Sequence, residues 1–453
     1  MHDSVQFAAT PTLPNPAAAG QRAYDLATEL FPICRSITGP GLRETLARLR
    51  RELPELTIHN VASGTRCFDW IVPPEWSVSA AYIETEDGRR IVDFADHNLH
   101  VVGYSVPVDT VLALEELRPH LHSLPQMPDA IPYVTSYYQE RWGFCLPHRL
   151  MSALQPGRYR VKIESELKPG VLNYGEIRLP GETAQEVLIS TYVCHPSMAN
   201  NELSGPVVTT EIVRWLRSLP RRRYSYRILF VPETIGSITY LSRHLAEMKR
   251  NVIAGFNVTC IGDDRGYSYL PSRLGGTLAD RAALHALRHH AGVDGFKRYS
   301  FLDRGSDERQ YCSPGIDLPV ASIMRSKYGT YQEYHTSLDD LSLISPLGLG
   351  GGIVALAKAI LAVEANVTYR ATVLGEPQLG PRGLYPTLST VESSRLVRGM
   401  MTILAYADGA HGLLSIAEML DVPVWELHAI ARKLLAHDLL IEGGEEEAGE
   451  MRA

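Results

Sequence analysis

Four side chains that can bind a metal or move a proton stand where predicted strands give way to loops. His195 follows the apolar run EVLISTYVC, Glu233 follows RILFVP, Asp307 follows a Gly-Ser turn, and His335 follows an aromatic-rich loop. Imidazole nitrogens and carboxylate oxygens are the ligands that Zn²⁺ favours. Together they indicate a metal site that activates water for hydrolysis. The two carboxylates also have structural alternatives, since Glu233 could cap the following helix and Asp307 could cap a turn.

These residues belong to a stretch, from about residue 170, in which predicted strands and helices alternate. Apolar runs such as EVLISTYVC and YSYRILFVPE are separated by amphipathic segments such as GPVVTTEIVRWLRSL. The alternation predicts an α/β fold, a sheet with substantial parallel character flanked by helices on both faces. Ligands in such sheets bind at the carboxyl ends of the strands, so we expect the four residues to converge there.

The rest of the chain divides by composition and periodicity. Helical patterns precede the α/β stretch, and between them lies a segment rich in aromatic and β-branched residues that predicts short strands. Near the C-terminus the spacing of LLSIAEMLDVPVWELHAIARKLLAHDLLIE is typical of a winged helix. The predicted segments are a flexible N-terminus (1–20), an α/β domain (21–56 and 163–372), an inserted β-rich domain (57–162), a linker (373–393), a winged-helix domain (394–442) and an acidic tail (443–453).

Composition excludes several classes of protein. The 453 residues are 45% hydrophobic, which is too apolar for a disordered chain. With 44 basic and 51 acidic residues the net charge is −7, so we expect no nucleic-acid partner. We also expect no membrane association, because no apolar run approaches the roughly 18–20 residues of a membrane span. Six cysteines without a CxxC pair and a start unlike a signal peptide indicate a cytoplasmic protein with reduced thiols.

Several motifs resemble those of a known family. The stretches CHPSMANNELSG, FVPETIGS, GSDERQY and YHTSLDD resemble the zinc aminopeptidases that include the bacterial leucyl aminopeptidases. Over residues 20–440 the chain more closely resembles bacterial aminopeptidase-like proteins with an inserted β-rich domain and a C-terminal winged helix, through stretches such as FDWIVPPEW and AIPYVTSYYQERWGFC. The resemblance implies a zinc-peptidase-like mixed sheet and metal-dependent hydrolysis of an amide or peptide bond.

The resemblance also assigns roles to individual positions. His195 matches the first metal-binding His of the aminopeptidase pattern, and His335 matches the last. Asn201 stands where the pattern has an Asp that bridges two metals, Glu233 is alone where the pattern has two consecutive Glu, and Thr259 stands at a strand-end Asp. These departures imply one zinc ion per chain, held by the two histidines and a carboxylate. Glu233 would be a ligand or the general base.

Other residues near these motifs have less specific assignments. Asp307 would be a ligand, or a carboxylate that orients a ligand His through its free ring nitrogen. Nucleophilic catalysis by a Cys194–His195 pair is disfavoured, because the side chains of neighbouring residues on a strand point to opposite faces. Further candidates for binding or orienting the metal are Asn201, Glu202, Asp263, Asp264 and Asp339. Candidate substrate-binding residues, able to hold an anionic or polar group, are Arg304, Arg309, Arg325, Tyr331, Tyr334 and Arg141.

The substrate and partners stay open from the sequence. The resemblance implies a small peptide with a free α-amine, while relatives labelled as polysaccharide-biosynthesis proteins imply an amide of a small metabolite. We expect the inserted domain to close over the catalytic face and contribute substrate-facing residues. The alternative function is a non-catalytic binding or regulatory protein whose winged helix contacts a protein partner or a second copy. A DNA-binding regulator is disfavoured, because the second helix of the motif carries only Arg432 and Lys433.

Overall fold

The computed structural model describes residues 12–384 and 391–443. Its contacts divide the chain into two compact units. The larger unit comprises Asn15–Asp280 and Lys297–Val354, and the smaller comprises the chain up to Pro14, Arg281–Phe296 and the chain from Ala355 onward. All four of the candidate residues His195, Glu233, Asp307 and His335 lie in the larger unit.

The helices of the described residues are α1 (Pro16–Leu30), α2 (Pro40–Glu52), α3 (Leu114–Leu117), α4 (His148–Ala153), α5 (Ser204–Ser218), α6 (Ile235–Asn251), α7 (Leu278–Ala291), α8 (Glu308–Tyr311), α9 (Pro346–Glu364), α10 (Val391–Ala405), α11 (Leu413–Leu420) and α12 (Val424–Ala436). The predicted flexible N-terminus therefore differs from the structure over residues 16–20. Asn15 caps α1 by accepting a hydrogen bond from the amide of Ala18, and Pro16 suits the first helical position.

The strands are β1 (Thr57–Ala62), β2 (Arg66–Cys67), β3 (Trp70–Ile71), β4 (Glu75–Thr85), β5 (Arg90–Asp93), β6 (Val108–Ala113), β7 (Leu121–His122), β8 (Phe144–Cys145), β9 (Arg158–Lys168), β10 (Val171–Leu179), β11 (Glu186–Tyr192), β12 (Ser225–Val231), β13 (Val252–Asn257), β14 (Tyr267–Leu270), β15 (Phe296–Arg298), β16 (Val320–Met324), β17 (Thr368–Ala371), β18 (Asp408–Gly412) and β19 (Leu440–Glu442).

An eight-stranded mixed sheet forms the centre of the α/β domain, in the order β1-β10-β12-β11-β13-β16-β14-β15. The pairs β11–β12, β11–β13 and β13–β16 are parallel, and β1–β10, β10–β12 and β14–β16 are antiparallel. Every residue of β11 is buried, as expected of a central parallel strand covered on both faces. The three adjacent parallel strands β12, β11 and β13 therefore present their carboxyl ends at one edge of the sheet.

The inserted segment forms its own four-stranded sheet, in the order β5-β4-β9-β6. Its boundaries differ from the predicted 57–162. The first predicted strand, β1, pairs with β10 in the central sheet, with Thr57 opposite Glu176, and β9 continues to Lys168. The insert shares a core with the α/β domain, since Trp76 and Phe144 lie in one buried apolar cluster with Leu188 and Val231.

The C-terminal part of the chain has the predicted helices and a three-stranded sheet in the order β18-β17-β19. Its middle strand, β17, pairs antiparallel with both neighbours. This strand lies before residue 394, the predicted start of the winged helix. The sequence did not predict its membership of the domain, because its two partner strands lie within residues 408–442 and local composition does not identify them. Residues 385–390 of the predicted linker, nearly all of the predicted acidic tail, and residues 1–11 lie outside the described residues.

Among the described residues, α9 is long and apolar enough to cross a membrane by length and composition alone. The prediction that no apolar run approaches the length of a membrane span is therefore wrong for this helix. Of its 18-residue apolar window, 72% is buried inside the protein, and buried core helices pass the same test.

The start of α5 leaves no space for a side chain at Gly205. A Cβ there would lie 2.3 Å from Oγ1 of Thr191 and 2.4 Å from the carbonyl oxygen of Val258. We expect Gly205→Ala to lower the free energy of unfolding by about 3 kcal/mol, because β11 or β13 must move to admit the methyl group. Thermal unfolding measures this. Gly266→Ala is the control, since a Cβ at Gly266 meets nothing within 4 Å, and equal melting temperatures for the two variants would contradict the prediction.

Candidate active site

The strand ends bring the predicted residues together. His195 comes three residues after β11, Glu233 two residues after β12, and Thr259 two residues after β13. Because β12, β11 and β13 are parallel neighbours, these positions share one edge of the sheet. The loop after β16 returns to the same edge, where the ring of His335 lies 5.4 Å from that of His195, measured between centroids.

His195 is buried and oriented by a carboxylate. Its Nδ1 pairs with Oε2 of Glu202 at 2.8 Å, and its Nε2 lies 3.6 Å from Oε2 of Glu233. Burial opposes a charge on the ring, but Cys194 and the Glu202 carboxylate raise the pKa of His195 well above its usual range. Since Glu202 occupies Nδ1, Nε2 is the ring atom left to face the space beside Glu233. A carboxylate on the far nitrogen is the usual partner of a metal-binding His.

His335 lies among aromatic rings. It stacks on Tyr334 at 3.9 Å and meets Tyr133 edge-on at 5.2 Å between centroids. Burial and the neighbouring His195 lower the pKa of His335 to about 3, so the ring is neutral and can offer a nitrogen lone pair. The inserted domain supplies Tyr133, whose amide donates to the carbonyl oxygen of His335 at 2.9 Å and whose ring also lies 5.2 Å from that of His195.

Glu233 is held at the entrance to α6 with part of its side chain exposed. Burial raises the pKa of Glu233, and the charges of His195 and Arg309 oppose that shift. The next residue, Thr234, has φ = 64°, a conformation that a β-branched residue rarely adopts. Such strain costs about 1–3 kcal/mol and is concentrated at functional sites. The side chain of Arg309 donates to Oγ1 of Thr234 at 2.6 Å, which steadies the turn.

Asp307 supports this turn. Its Oδ1 accepts hydrogen bonds from the amide of Thr234 at 2.7 Å and from Oγ of Ser237 at 2.8 Å. Its Oδ2 is buried and has no hydrogen-bond partner within the described residues. Burial and the neighbouring Glu233 raise the pKa of Asp307 to about 7. The carboxylate that holds Nδ1 of His195 is thus Glu202 and not Asp307. Asp307 instead accepts hydrogen bonds from the turn that follows Glu233.

The two positions where the aminopeptidase pattern has aspartates form a neutral cluster. The hydroxyl of Tyr192 lies 3.1 Å from Oδ1 of Asn201 and 2.6 Å from Oγ1 of Thr259. Oγ1 of Thr259 also donates to the carbonyl oxygen of Asn201 at 2.9 Å. All three residues are buried. Their polar atoms satisfy one another without a formal charge, a poor environment for a second divalent cation.

Three aspartates that the sequence offered as ligands or orienting groups bind the protein itself. Asp339 accepts hydrogen bonds from the amides of three successive residues, 199–201, at 3.2, 2.6 and 2.9 Å. Asp263 accepts from Nδ2 of Asn200 at 3.0 Å and from the amide of Ser326 at 2.8 Å. Asp264 accepts from Oγ of Ser345 at 2.6 Å. These hydrogen bonds hold the loops around the site in place. The contacts of the three carboxylates are therefore those of positioning residues.

The predicted substrate-binding residues divide into two groups. Tyr334 stacks on His335 and Arg309 reaches Thr234, so both border the site. The contacts of the others lie elsewhere. The hydroxyl of Tyr331 donates to Asp339 at 2.8 Å, Arg325 is buried over the ring of Tyr267, Arg304 is exposed over Phe301, and Arg141 is exposed with its carbonyl oxygen bound to the amide of Val106.

Cys194 lies beside His195, which the strand argument did not expect. Its Sγ is 3.5 Å from Nδ1 of His195, because both residues come after the end of β11 and strand alternation no longer applies. Together with Glu202 the two residues form a group with mutually close ligand atoms. Burial raises the pKa of the Cys194 thiol to about 11, so it is a poor nucleophile and a poor metal ligand at neutral pH.

Sequence reasoning missed two residues. Tyr133 occurred in a quoted aromatic stretch, AIPYVTSYY, but nothing local distinguishes it from Tyr137. Arg35, in the loop between α1 and α2, is 1% exposed and donates from Nε to the carbonyl oxygen of His195 at 2.9 Å. An arginine in a short loop is ordinarily exposed to solvent, so the local sequence around Arg35 does not predict this contact.

Family comparisons fit this architecture. Residues 24–366 match the family model described as a domain of unknown function, DUF4910, and residues 367–442 match a winged helix-turn-helix model. The chain belongs to the DUF4910 family. The predicted C-terminal winged helix is thereby confirmed, and the second match begins next to β17, in agreement with the observed sheet.

A relative from Clostridium acetobutylicum is 44% identical over 405 residues, 89% of this chain and 92% of its own. Its description contains the words "polysaccharide biosynthesis protein with aminopeptidase-like domain". A crystal structure from the same organism, described as that of a candidate peptidase, is 41% identical with a TM-score of 0.88. The match covers 94% of this chain and 97% of that one.

More distant structures share the fold of this DUF4910 chain. A zinc aminopeptidase from Bacillus subtilis has a TM-score of 0.54 at 12% identity, over 75% of this chain and 94% of that one. An M28 peptidase precursor from Shewanella amazonensis has a TM-score of 0.54 at 13% identity, over 77% and 95%. The predicted fold class, an aminopeptidase-like α/β domain with a winged helix, is confirmed.

Proposed function

We propose that this protein is a metal-dependent hydrolase of amide bonds that uses one zinc ion. The observation that carries the proposal is the orientation of His195. Glu202 holds Nδ1, so Nε2 faces Glu233 at 3.6 Å, with the neutral His335 ring beside it. Two imidazoles and one carboxylate, with a position left for water, form the donor set of a catalytic zinc site.

The side chains present fit one such ion. His195, His335 and Glu233 would hold it, and zinc when bound polarises a carbonyl group and lowers the pKa of water. The neutral cluster of Tyr192, Asn201 and Thr259 argues against a second ion. The pKa of Glu233, raised by burial, makes this carboxylate a suitable proton acceptor, so Glu233 is either a ligand or the general base.

Tyr133 and Tyr334 flank the two histidines and would orient the substrate. We propose a small peptide, or an amide of a small metabolite, as the substrate. The words "polysaccharide biosynthesis" in the description of the Clostridium relative favour an amide on a sugar-linked compound. We further propose that the protein acts in the cytoplasm and that its winged helix binds a protein partner or a second copy.

Metal analysis and turnover test this function together. Purified protein, stripped with a chelator and reloaded, is expected to hold about one zinc ion per chain. It should hydrolyse members of a panel of aminoacyl amides and N-acylated amino sugars. Less than about a tenth of an equivalent of zinc after loading would contradict the proposal.

Glu233→Gln separates its two candidate roles. If Glu233 is the general base, the variant keeps zinc and loses turnover by about 10²–10⁴-fold, the range that general-base catalysis contributes. If Glu233 is a ligand, the variant loses zinc as well. Asp264→Asn is the control, because this carboxylate contacts Ser345 and should affect neither measurement.

A non-catalytic binding protein is the second candidate function. The uncharged cluster at Asn201 and Thr259 favours it, because two carboxylates of the aminopeptidase pattern are replaced there. Stoichiometric zinc without hydrolysis of any compound in the panel would support this candidate over the enzyme.

A further inference from the structure

We propose that Arg35 is a positioning residue for the metal-binding face of His195, acting through the backbone of His195 and through Glu202. The inference rests on the proposed function, in which Nε2 of His195 binds the metal. Arg35 lies about 160 residues before His195 in the sequence, in the loop between α1 and α2.

Arg35 first fixes the backbone of His195. Its Nε donates to the carbonyl oxygen of His195 at 2.9 Å, and its Nη1 donates to the carbonyl oxygen of Leu30 at 2.6 Å. The second contact ties the guanidinium to the last residue of α1. The planar guanidinium thereby connects the end of α1 to the loop that carries His195, a geometry that a lysine ammonium does not reproduce.

Arg35 also pairs with the carboxylate of Glu202. The side chains of both residues are fully buried, and Nε of Arg35 lies 3.8 Å from Oε1 of Glu202. This oxygen has no hydrogen-bond partner within the described residues, so the guanidinium is the group that attracts it. The attraction holds the Glu202 carboxylate where Oε2 meets Nδ1 of His195 at 2.8 Å. With the proton of the neutral imidazole on Nδ1, the lone pair on Nε2 is available to the metal.

Arg227, on β12, is a second fully buried arginine, and it lies at the end of β11 and β12 opposite the histidines. It forms two hydrogen bonds, 2.7 and 2.9 Å, to Glu186, the first residue of β11. Its pair stabilises the sheet at the end opposite the histidines. Arg227→Met is therefore a matched control for the loss of a buried cation.

The experiment measures zinc affinity by competition with a chromophoric chelator, on full-length protein. We expect Arg35→Met to weaken zinc binding by about 10–100-fold, the range found for partners of ligand histidines. Glu202→Gln should have an effect of the same size. Because Arg35 acts partly through Glu202 and partly through the backbone of His195, the loss of zinc affinity in the double variant should be smaller than the sum of the two single losses, expressed as free energies. Arg227→Met should lower the melting temperature but leave the zinc affinity unchanged.

Wild-type affinity in Arg35→Met, or an equal loss of affinity in Arg227→Met, would overturn the inference. Additive losses in the double variant would also overturn it, because Arg35 would then act independently of Glu202. If Arg35→Met does not fold, Arg35→Lys replaces it, with the same comparison to Glu202→Gln. A wild-type protein that binds no zinc is a separate result, since it contradicts the proposed function before any variant is examined.

Discussion

Replacing His335 by alanine is expected to abolish stoichiometric zinc binding and to reduce kcat/KM by about a thousandfold or more. In the proposed site this change removes a metal ligand, and a bound zinc ion would contribute several kcal/mol of transition-state stabilisation. The fold should survive, because the contacts of the His335 side chain are to aromatic rings, those of Tyr133, Tyr334 and His195. Zinc content, turnover and circular dichroism of the same preparation measure the three effects.

His59→Ala is the matched control for His335. This imidazole also stacks on a tyrosine, Tyr174, at 4.9 Å between centroids, but it lies on β1. Its replacement should leave zinc content and turnover unchanged. Full zinc content and turnover in His335→Ala would show that the histidine pair is not the metal site.

Replacing Asp339 by asparagine is expected to lower the free energy of unfolding by about 3 kcal/mol, since a buried charged acceptor is lost. The two carboxylate oxygens of Asp339 accept from the backbone amides of residues 199–201 and from the hydroxyl of Tyr331. Asparagine keeps one acceptor and points an NH₂ group at a backbone N–H. Urea unfolding of the zinc-free protein measures the loss.

The comparison with zinc binding distinguishes the two roles open to Asp339. As a positioning residue for residues 199–201, its replacement lowers stability in the absence of metal. As a ligand, its replacement would remove zinc without changing the stability of the zinc-free protein. Asp340→Asn is the control, because Asp340 accepts hydrogen bonds from Ser342, two residues away, and both measurements should stay at the wild-type values.

The insert shows how far the sequence predicted the fold. Its aromatic and β-branched composition indicated short strands, and strands are present. Its start was placed at Thr57, yet β1 pairs with β10 in the central sheet. Strand composition is the same in either sheet, and pairing between residues more than a hundred positions apart leaves no local trace. The expectation that the insert closes over the catalytic face stays a prediction, and Tyr133 is its observed contribution beside the histidines.

The sequence by itself determined which candidate metal ligands follow the ends of strands. Buried apolar runs ending at His195 and Glu233 predicted neighbouring positions, because parallel strands share a carboxyl edge. Tertiary structure alone decided what each carboxylate does. An aspartate or glutamate suits a metal, a helix end or an arginine equally well, and its partner decides between them. Glu202 meets His195 and Arg35, whereas Asp339 meets backbone amides about 140 residues away.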